Sequence, residues 1–470
     1  MDLDRRDFVK GALGVGGAAL LGTKLGMSGL STTIRGISGA ATNVLPDPRL
    51  SGIEHVVLVM MENRSFDHIM GWLPGSDGQQ GGLRFNTPDG KRHKTFHQTQ
   101  LDGCGFADPD HSYEGGRIQY NAGKMDGFLT DTANDEFAIS YYKAADRPFM
   151  GQLARHYTTC DRYFCSILGP TFPNRIFQHA GQTDRVSNTL SASSLPTIWD
   201  QLNQPGGPTG RYYYTDLPII ALFGSKHLSI ASKLSQFMSD AAAGTLPNVS
   251  YVDPGFDGEG AGTANDDHPA SDLRAGDSFL SQVFHAVSTG PGWDKTVLVV
   301  NYDEWGGFYE HVRPRRVTPG LSAGVDPHAG IDQDLDANNK VLTGFRVPCI
   351  VASPFTRRDP GNSVNHGFYD HTSVLKLIEW RWGLAPLTQR DASTAATDPG
   401  NLAHVLNFRA HNVQVPKQIP VLAPFIPKGC APAAATLTSK EQGLRVLASD
   451  VPGREDWVGL RNSGLLDSWV

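Results

Sequence analysis

Each half of the chain contains one uninterrupted apolar run that ends beside acidic residues. Ile53–Met61 reads IEHVVLVMM and leads into Glu62-Asn63, while Thr296–Asn301 reads TVLVVN and stops just short of Asp303-Glu304. Neither run alternates polar with apolar residues, so each predicts a strand covered on both faces, as in a mostly parallel sheet flanked by helices. Ligands of such sheets bind beyond the carboxyl ends of the strands. Glu62, Asn63, Asp303 and Glu304 would then meet there, and three carboxylates with one amide oxygen suit a hard cation such as Mg²⁺, Ca²⁺ or Mn²⁺. Either pair alone reads as an ordinary solvated strand-to-loop turn; the two together favour a metal site.

A third piece lies between them. Arg162–Ser166 (RYFCS) predicts a further strand, broken by Gly169-Pro170. Pro173 then suits the first turn of a helix running on through Ile176-Phe177-Gln178-His179. Thr171 falls at that helix N-terminus, where free backbone N–H groups and the dipole favour an anion. The same surroundings suit a phosphate group or a Thr alkoxide activated by a cation. The competing reading is that Thr171 only caps the helix.

Four blocks stand out, in order: Glu62-Asn63-Arg64-Ser65-Phe66-Asp67-His68, Asp108-Pro109-Asp110-His111-Ser112, Gly169-Pro170-Thr171-Phe172-Pro173-Asn174-Arg175 and Asp303-Glu304-Trp305-Gly306-Gly307. Together they resemble the bacterial phospholipase C and acid phosphatase family. Gly344–Pro348, Ser353-Pro354-Phe355 and Asp370–Ser373 follow, so the likeness spans roughly Gly52 to Leu384. The resemblance implies an alkaline-phosphatase-like α/β fold with long loop insertions, a divalent metal, and phosphate-ester hydrolysis through a covalent enzyme intermediate. It makes Glu62, Asn63, Asp303 and Glu304 the metal shell, with Thr171 as nucleophile and further ligand. It leaves Ca²⁺, Mg²⁺, Mn²⁺ and Zn²⁺ open. His111 and His268 match histidines that hold the phosphate or protonate the leaving group, and Asp267 would be their polar neighbour. His311 and His371 are further substrate-side candidates. The family usually has Asp where this chain has Glu310, which weakens His311, and Asp370 beside His371 has an alternative role as a helix cap.

The chemistry needs these residue types together. A phosphodiester is anionic and repels nucleophiles, so a cation must neutralise charge while it activates Thr171. Asn63 would hold phosphate oxygens, and His268 or His111 would protonate the departing alcohol. The Thr171-x-Pro173-x-Arg175 spacing also resembles the sulfatase motif, but a Thr cannot be oxidised to the aldehyde that sulfatases use. The expected activity is therefore a phospholipase C cleaving phosphatidylcholine to diacylglycerol and phosphocholine. An acid phosphatase acting on monoesters is the alternative, and a non-enzymatic surface-binding protein is a third reading that the intact residue set disfavours. For a quaternary ammonium headgroup, aromatic faces are the natural receptor. Trp305 is the first choice there, ahead of Phe308, Tyr309 and the Tyr212–Tyr214 cluster, although aromatics of this kind usually pack in a core.

Motifs spread from Glu62 to His371 require one sheet, hence one catalytic domain over residues 46–414. The 52 Gly and 30 Pro fit long loops; Gly75–Asp110 and Pro254–Asp267 are the clearest insertions. Residues 415–470 read as a Pro/Ala-rich linker and tail. Residues 1–40 read as a twin-arginine signal peptide, with Arg5-Arg6, Phe8 and Lys10 before a Gly-rich, acid-free stretch and small residues at Ser38-Gly39-Ala40. That predicts a periplasmic or secreted bacterial protein using the twin-arginine export machinery, with no integral membrane segment. Removing those residues takes the formal charge from −7 to −9, since they hold five Lys/Arg and three Asp. No basic block suggests nucleic acid, and the acidic balance opposes strong attraction to anionic lipid. The five Cys show no zinc spacing and predict mostly buried thiols.

Overall fold

The computed structural model describes residues 44–321, 335–430 and Leu466. The twin-arginine segment, and the tail beyond residue 430 apart from Leu466, lie outside the described residues.

The two apolar runs form neighbouring central strands. His55–Met61 (β1) pairs in parallel with Thr296–Tyr302, in the register Val57↔Leu298 and Val59↔Val300. Around them lie Thr158–Cys160 (β2), Gly210–Tyr214 (β3), Ala231–Lys233 (β4) and Val249–Val252 (β5), with Thr296–Tyr302 as β6. Cys349–Ala352 (β7) and Val364–Asn365 (β8) complete an eight-stranded sheet ordered β8-β2-β7-β6-β1-β5-β3-β4. Only β7 runs against its neighbours; the remaining pairings are parallel. Val56–Val59 and Val297–Val300 are at most 2% exposed. Each such side chain contributes roughly 1.5–3 kcal/mol of burial, which explains why unbroken aliphatic runs occupy the middle of the sheet. The helices that position the site are Phe66–Met70 (α1), Tyr113–Tyr120 (α2), Thr171–Ala180 (α3), Leu273–Thr289 (α4) and Thr372–Trp382 (α5).

The expected strand over Arg162–Ser166 does not form. Tyr163 bridges in parallel to Tyr369 and Phe164 in antiparallel fashion to Arg346. Two different partners for successive residues give no continuous ladder, and the strand lies earlier, at β2.

The cysteine expectation holds for Cys160, Cys165 and Cys349, which are buried free thiols. It fails for Cys104 and Cys430, which form a disulfide across 326 residues. No local spacing encodes that pairing, because it depends on where the segment after residue 414 runs. That segment, read from composition as a linker, docks along α4 up to Cys430. Leu422 N donates to Ser281 Oγ (3.0 Å) and Phe425 N to Ser278 Oγ (3.1 Å).

Candidate active site

Parallel register sets the carboxyl ends of β1 and β6 side by side, and the chain turns sharply after both. Asn63 adopts a left-handed backbone (φ 57°), as do Gly306 and Gly307 (φ 64° and 71°). A Cβ on Gly306 would lie 2.0 Å from the Asn63 carbonyl oxygen, so only glycine lets the two turns interlock. Asp303 ties them: its Oδ1 accepts from Asn63 N (3.1 Å) and Glu304 N (2.7 Å). Glu304 Oε2 accepts from Gly306 N at 2.7 Å.

Thr171 is the first residue of α3, after Pro170. Its hydroxyl donates to Asn63 Oδ1 at 3.2 Å rather than capping its own helix. One turn further, Arg175 comes to the same place. Its guanidinium lies 2.9 Å from Glu62 Oε1, 3.1 Å from Asp303 Oδ2 and 3.6 Å from Asp253 Oδ1. Burial alone would push this guanidinium down, but Asp303, Glu62 and Asp253 together raise it.

The histidine pair stands beside these groups. His111 Nδ1 donates to the Pro109 carbonyl (2.7 Å), leaving Nε2 3.5 Å from Asn63 Nδ2. The His268 ring is 6.2 Å from that of His111 and nearly perpendicular to it. His268 Nε2 faces Asp108 Oδ2 at 3.6 Å and Glu259 Oε2 at 3.7 Å. Arg64 grips the main chain from below, donating to the carbonyls of Asp267 (2.6 Å) and His268 (3.1 Å). Glu62, Asn63, Thr171, His111, His268, Asp303 and Glu304 are all wholly buried.

The remaining candidates lie elsewhere. The Asp267 carboxylate binds Arg147 (2.7 Å) and the Tyr302 hydroxyl, in a structural network and not beside the histidines. Asp266 takes the place expected of it, accepting from His268 N at 2.9 Å. Trp305 is fully buried, edge-on to Phe345, with Nε1 donating to Gln119 Oε1 at 2.6 Å; its ring is core and offers no face to a headgroup. Phe308 and Tyr309 are fully buried too. His311 belongs to a second cluster with Asp67, Glu310 and Arg346. His371 donates Nε2 to the Tyr302 carbonyl (3.1 Å), bracing the end of β6, and burial pushes its imidazole down to about 4. Asp370 does cap α5, accepting from Thr372 N.

Arg175, Glu259 and Asp266 are the residues that sequence reasoning missed. Arg175 was legible, four positions after Thr171 and so on the same helix face. Glu259 lies in a Gly-rich loop with no periodicity to single it out.

The donor set suits a divalent cation. Ligand atoms of Glu62, Glu259 and Asp266 lie within 4.8 Å of one another. Glu62, Asp303 and Glu304 add buried negative charge, for which Arg175 supplies one positive charge. All are oxygen donors, the preference of hard cations.

The Phosphoesterase family model matches residues 53–385. Non-specific phospholipase C1 of Arabidopsis thaliana is 31% identical over 72% of this chain and 69% of its own length. Phospholipase C B of Mycobacterium tuberculosis is 30% identical over 77% of this chain and 79% of its own. A solved alkaline phosphatase superfamily protein from Vibrio parahaemolyticus aligns with a TM-score of 0.31 at 11% identity, over 68% of this chain and 70% of that one.

Proposed function

Because the chain belongs to the phosphoesterase family and is a hydrolase of phosphoric ester bonds, we propose that it is a secreted, metal-dependent phospholipase C acting on phosphatidylcholine. The observation that carries this reading is Thr171. Its hydroxyl sits at a helix N-terminus, 3.2 Å from Asn63 Oδ1 and among buried carboxylates. The phospholipase C relatives favour a phosphodiester lipid as substrate.

Glu62, Asn63, Asp303, Glu304 and Thr171 would hold the cation, and Glu259 and Asp266, whose carboxylate oxygens lie within 4.8 Å of Glu62, would be further oxygen donors. When bound, it supplies charge neutralisation for the phosphate and lowers the pKa of the Thr171 hydroxyl. Thr171 Oγ1, having given its proton to solvent, attacks phosphorus, and the bond to the diacylglycerol oxygen breaks. His268 gives that oxygen its proton. The enzyme then carries phosphocholine on Thr171. Water attacks phosphorus and gives a proton to neutral His268, the bond from phosphorus to Thr171 Oγ1 breaks, and phosphocholine departs, leaving the Thr171 alkoxide and protonated His268 as at the start. The Asn63 amide holds a phosphate oxygen throughout. His111, fixed by Pro109 so that Nε2 faces Asn63, orients that amide.

Export is read from Arg5 and Arg6. Replacing both by Lys should leave unprocessed precursor in the cytoplasm. No helix among the described residues is long and apolar enough to cross a membrane. For the activity, purified protein is assayed on a chromogenic phosphocholine diester and a chromogenic phosphate monoester, with and without chelator. Turnover of the diester, lost on chelation and restored by a divalent cation, is expected. Preference for the monoester would make the protein a phosphatase, and activity indifferent to chelator would remove the metal. Acid quench during turnover of the diester should trap phosphocholine on Thr171.

A further inference from the structure

The segment that follows the catalytic domain is neither loose nor fully packed. Residues 415–430 run along α4 as a strap, with a turn closed by Ile419 N on the Pro416 carbonyl (3.1 Å) and an irregular course beyond it. Ser278, Ser281 and His285 on one face of α4 hold its backbone: Ser278 Oγ donates to the Ala423 carbonyl (2.8 Å), Ser281 Oγ to Pro420 (3.4 Å) and His285 Nε2 to Pro420 (3.1 Å). Ile419 is buried beneath it, and Arg274 covers the Phe425 ring at 4.6 Å. Two apolar side chains of the segment stay open. Val421 is 76% exposed and Ile426 86%, and Val413, just before the strap, is 40% exposed. Few other large apolar side chains of the described residues are as open.

Three features say what these side chains meet. Pro420, Pro424 and Pro427 restrict the backbone on either side of Val421 and Ile426, so presenting the apolar groups costs little ordering entropy. Charge is one-sided: residues 399–430 contain Arg409, Lys417 and Lys428 and no Asp or Glu, in a chain that is acidic overall. Lys417 and Lys428 are exposed on either side of Val421 and Ile426. Finally, the strap ends on the active-site loops. Cys430 is bonded to Cys104, four residues before Asp108, and its N–H donates to Ala261 (2.8 Å), two residues after Glu259. Apolar side chains between exposed cations are the pattern of a segment that lies in a lipid–water interface.

We propose that this strap is the element by which the protein docks on a phospholipid bilayer surface. Val413, Val421 and Ile426 enter the acyl boundary, and Lys417 and Lys428 meet lipid phosphates. The proposal takes its purpose from the phospholipase reading, but docking is scored without turnover. Full-length protein and the Val421→Asp/Ile426→Asp variant are sedimented with phosphatidylcholine vesicles, with and without added anionic phosphatidylglycerol. The wild type should cosediment, more so with anionic lipid, and the variant's bound fraction should fall by roughly tenfold or more. Lys417→Glu/Lys428→Glu should remove only the gain from anionic lipid. Hydrolysis of vesicles should fall with binding, while hydrolysis of a water-soluble p-nitrophenyl phosphocholine stays at the wild-type rate. Equal vesicle binding by wild type and apolar variant overturns the proposal. So does a dimer that the substitutions convert to monomer with vesicle binding unchanged, which would assign the strap to a second copy of the chain. Failure to hydrolyse either substrate, with vesicle binding intact, would sink the phospholipase reading and leave the docking surface standing.

Discussion

Two buried clusters of acidic residues and histidines lie within a few residues of each other in sequence, yet their charge balance differs. The first surrounds Glu62, Asp303 and Glu304, with Glu259 and Asp266 nearby and Arg175 as the cation pairing with Glu62 and Asp303. The second joins Asp67, Glu310 and His311 to Arg346, whose Nη2 is 2.7 Å from Glu310 and 3.3 Å from Asp67. His311 Nδ1 is 2.5 Å from Asp67 Oδ2. Burial pushes the Glu310 carboxyl up to about 8 against the pull of Arg346, while Arg346 and His311 both lie against the two carboxylates. The second cluster therefore carries its own neutralisation, and by ligand chemistry alone it would pass for a metal site. In the first, the Arg175 guanidinium faces Glu62, Asp303 and Asp253. Composition marks both as possible cation sites, and they differ in how the cationic side chains are arranged against the carboxylates.

The largest expected effect tests the first cluster. Thr171→Ala should lower turnover by about 10³-fold or more with a melting transition close to wild type, while Thr171→Ser keeps a measurable fraction because the hydroxyl survives. Comparable turnover in Thr171→Ala would show that the hydroxyl is not the nucleophile. The second cluster should answer in the opposite way. Arg346→Ala leaves Asp67 and Glu310 buried without their guanidinium, and denaturant unfolding should record a loss of about 3–5 kcal/mol. A variant as stable as wild type would mean that the pair is solvated.

The two histidines sharpen the contrast through pH. Burial holds His371 neutral, with its folded value near 4, below the ordinary imidazole value. The unfolded chain takes up that proton first, so stability is lost as pH falls from about 6.5 towards 4. Linkage puts the loss at about 3 kcal/mol, and His371→Gln should flatten it in urea unfolding measured across that window. His311 has the opposite sign and the smallest effect. Burial opposes its charge, but Asp67 and Glu310 raise it. Its contribution is complete below the unfolded value of about 6.5 and fades as pH rises through the raised folded value. His311→Gln should therefore cost most at acidic pH, by under about 1 kcal/mol for a partly exposed pair. Parallel pH slopes for the two variants would break the comparison.

Much of the centre was legible because it is local. Valine-rich runs can be buried on both faces only in the middle of a sheet, and the carboxylates that follow must emerge at its edge. Thr171 was placed by Gly169-Pro170 before it and Pro173 within the first turn. The errors share one cause. Asp267 and Asp266 are adjacent, and only the left-handed backbone at Asp267 (φ 77°) decides which carboxylate accompanies His268 and which turns to Arg147. Trp305 follows Glu304, but the Gly306-Gly307 turn sends its ring into the core against Phe345.

The sequence by itself determined the α/β class, the two central strands, the donor types at their ends and the helix that presents Thr171, since each follows from short-range periodicity and turn chemistry. Tertiary structure alone decided that Arg175 neutralises part of the carboxylate cluster, that Glu259 reaches His268 from a Gly-rich loop, and that Cys104 meets Cys430 across 326 residues. Those contacts join segments with no common period. Their partners are chosen by which loops the sheet brings together, and charge and burial at that meeting point set what each side chain does.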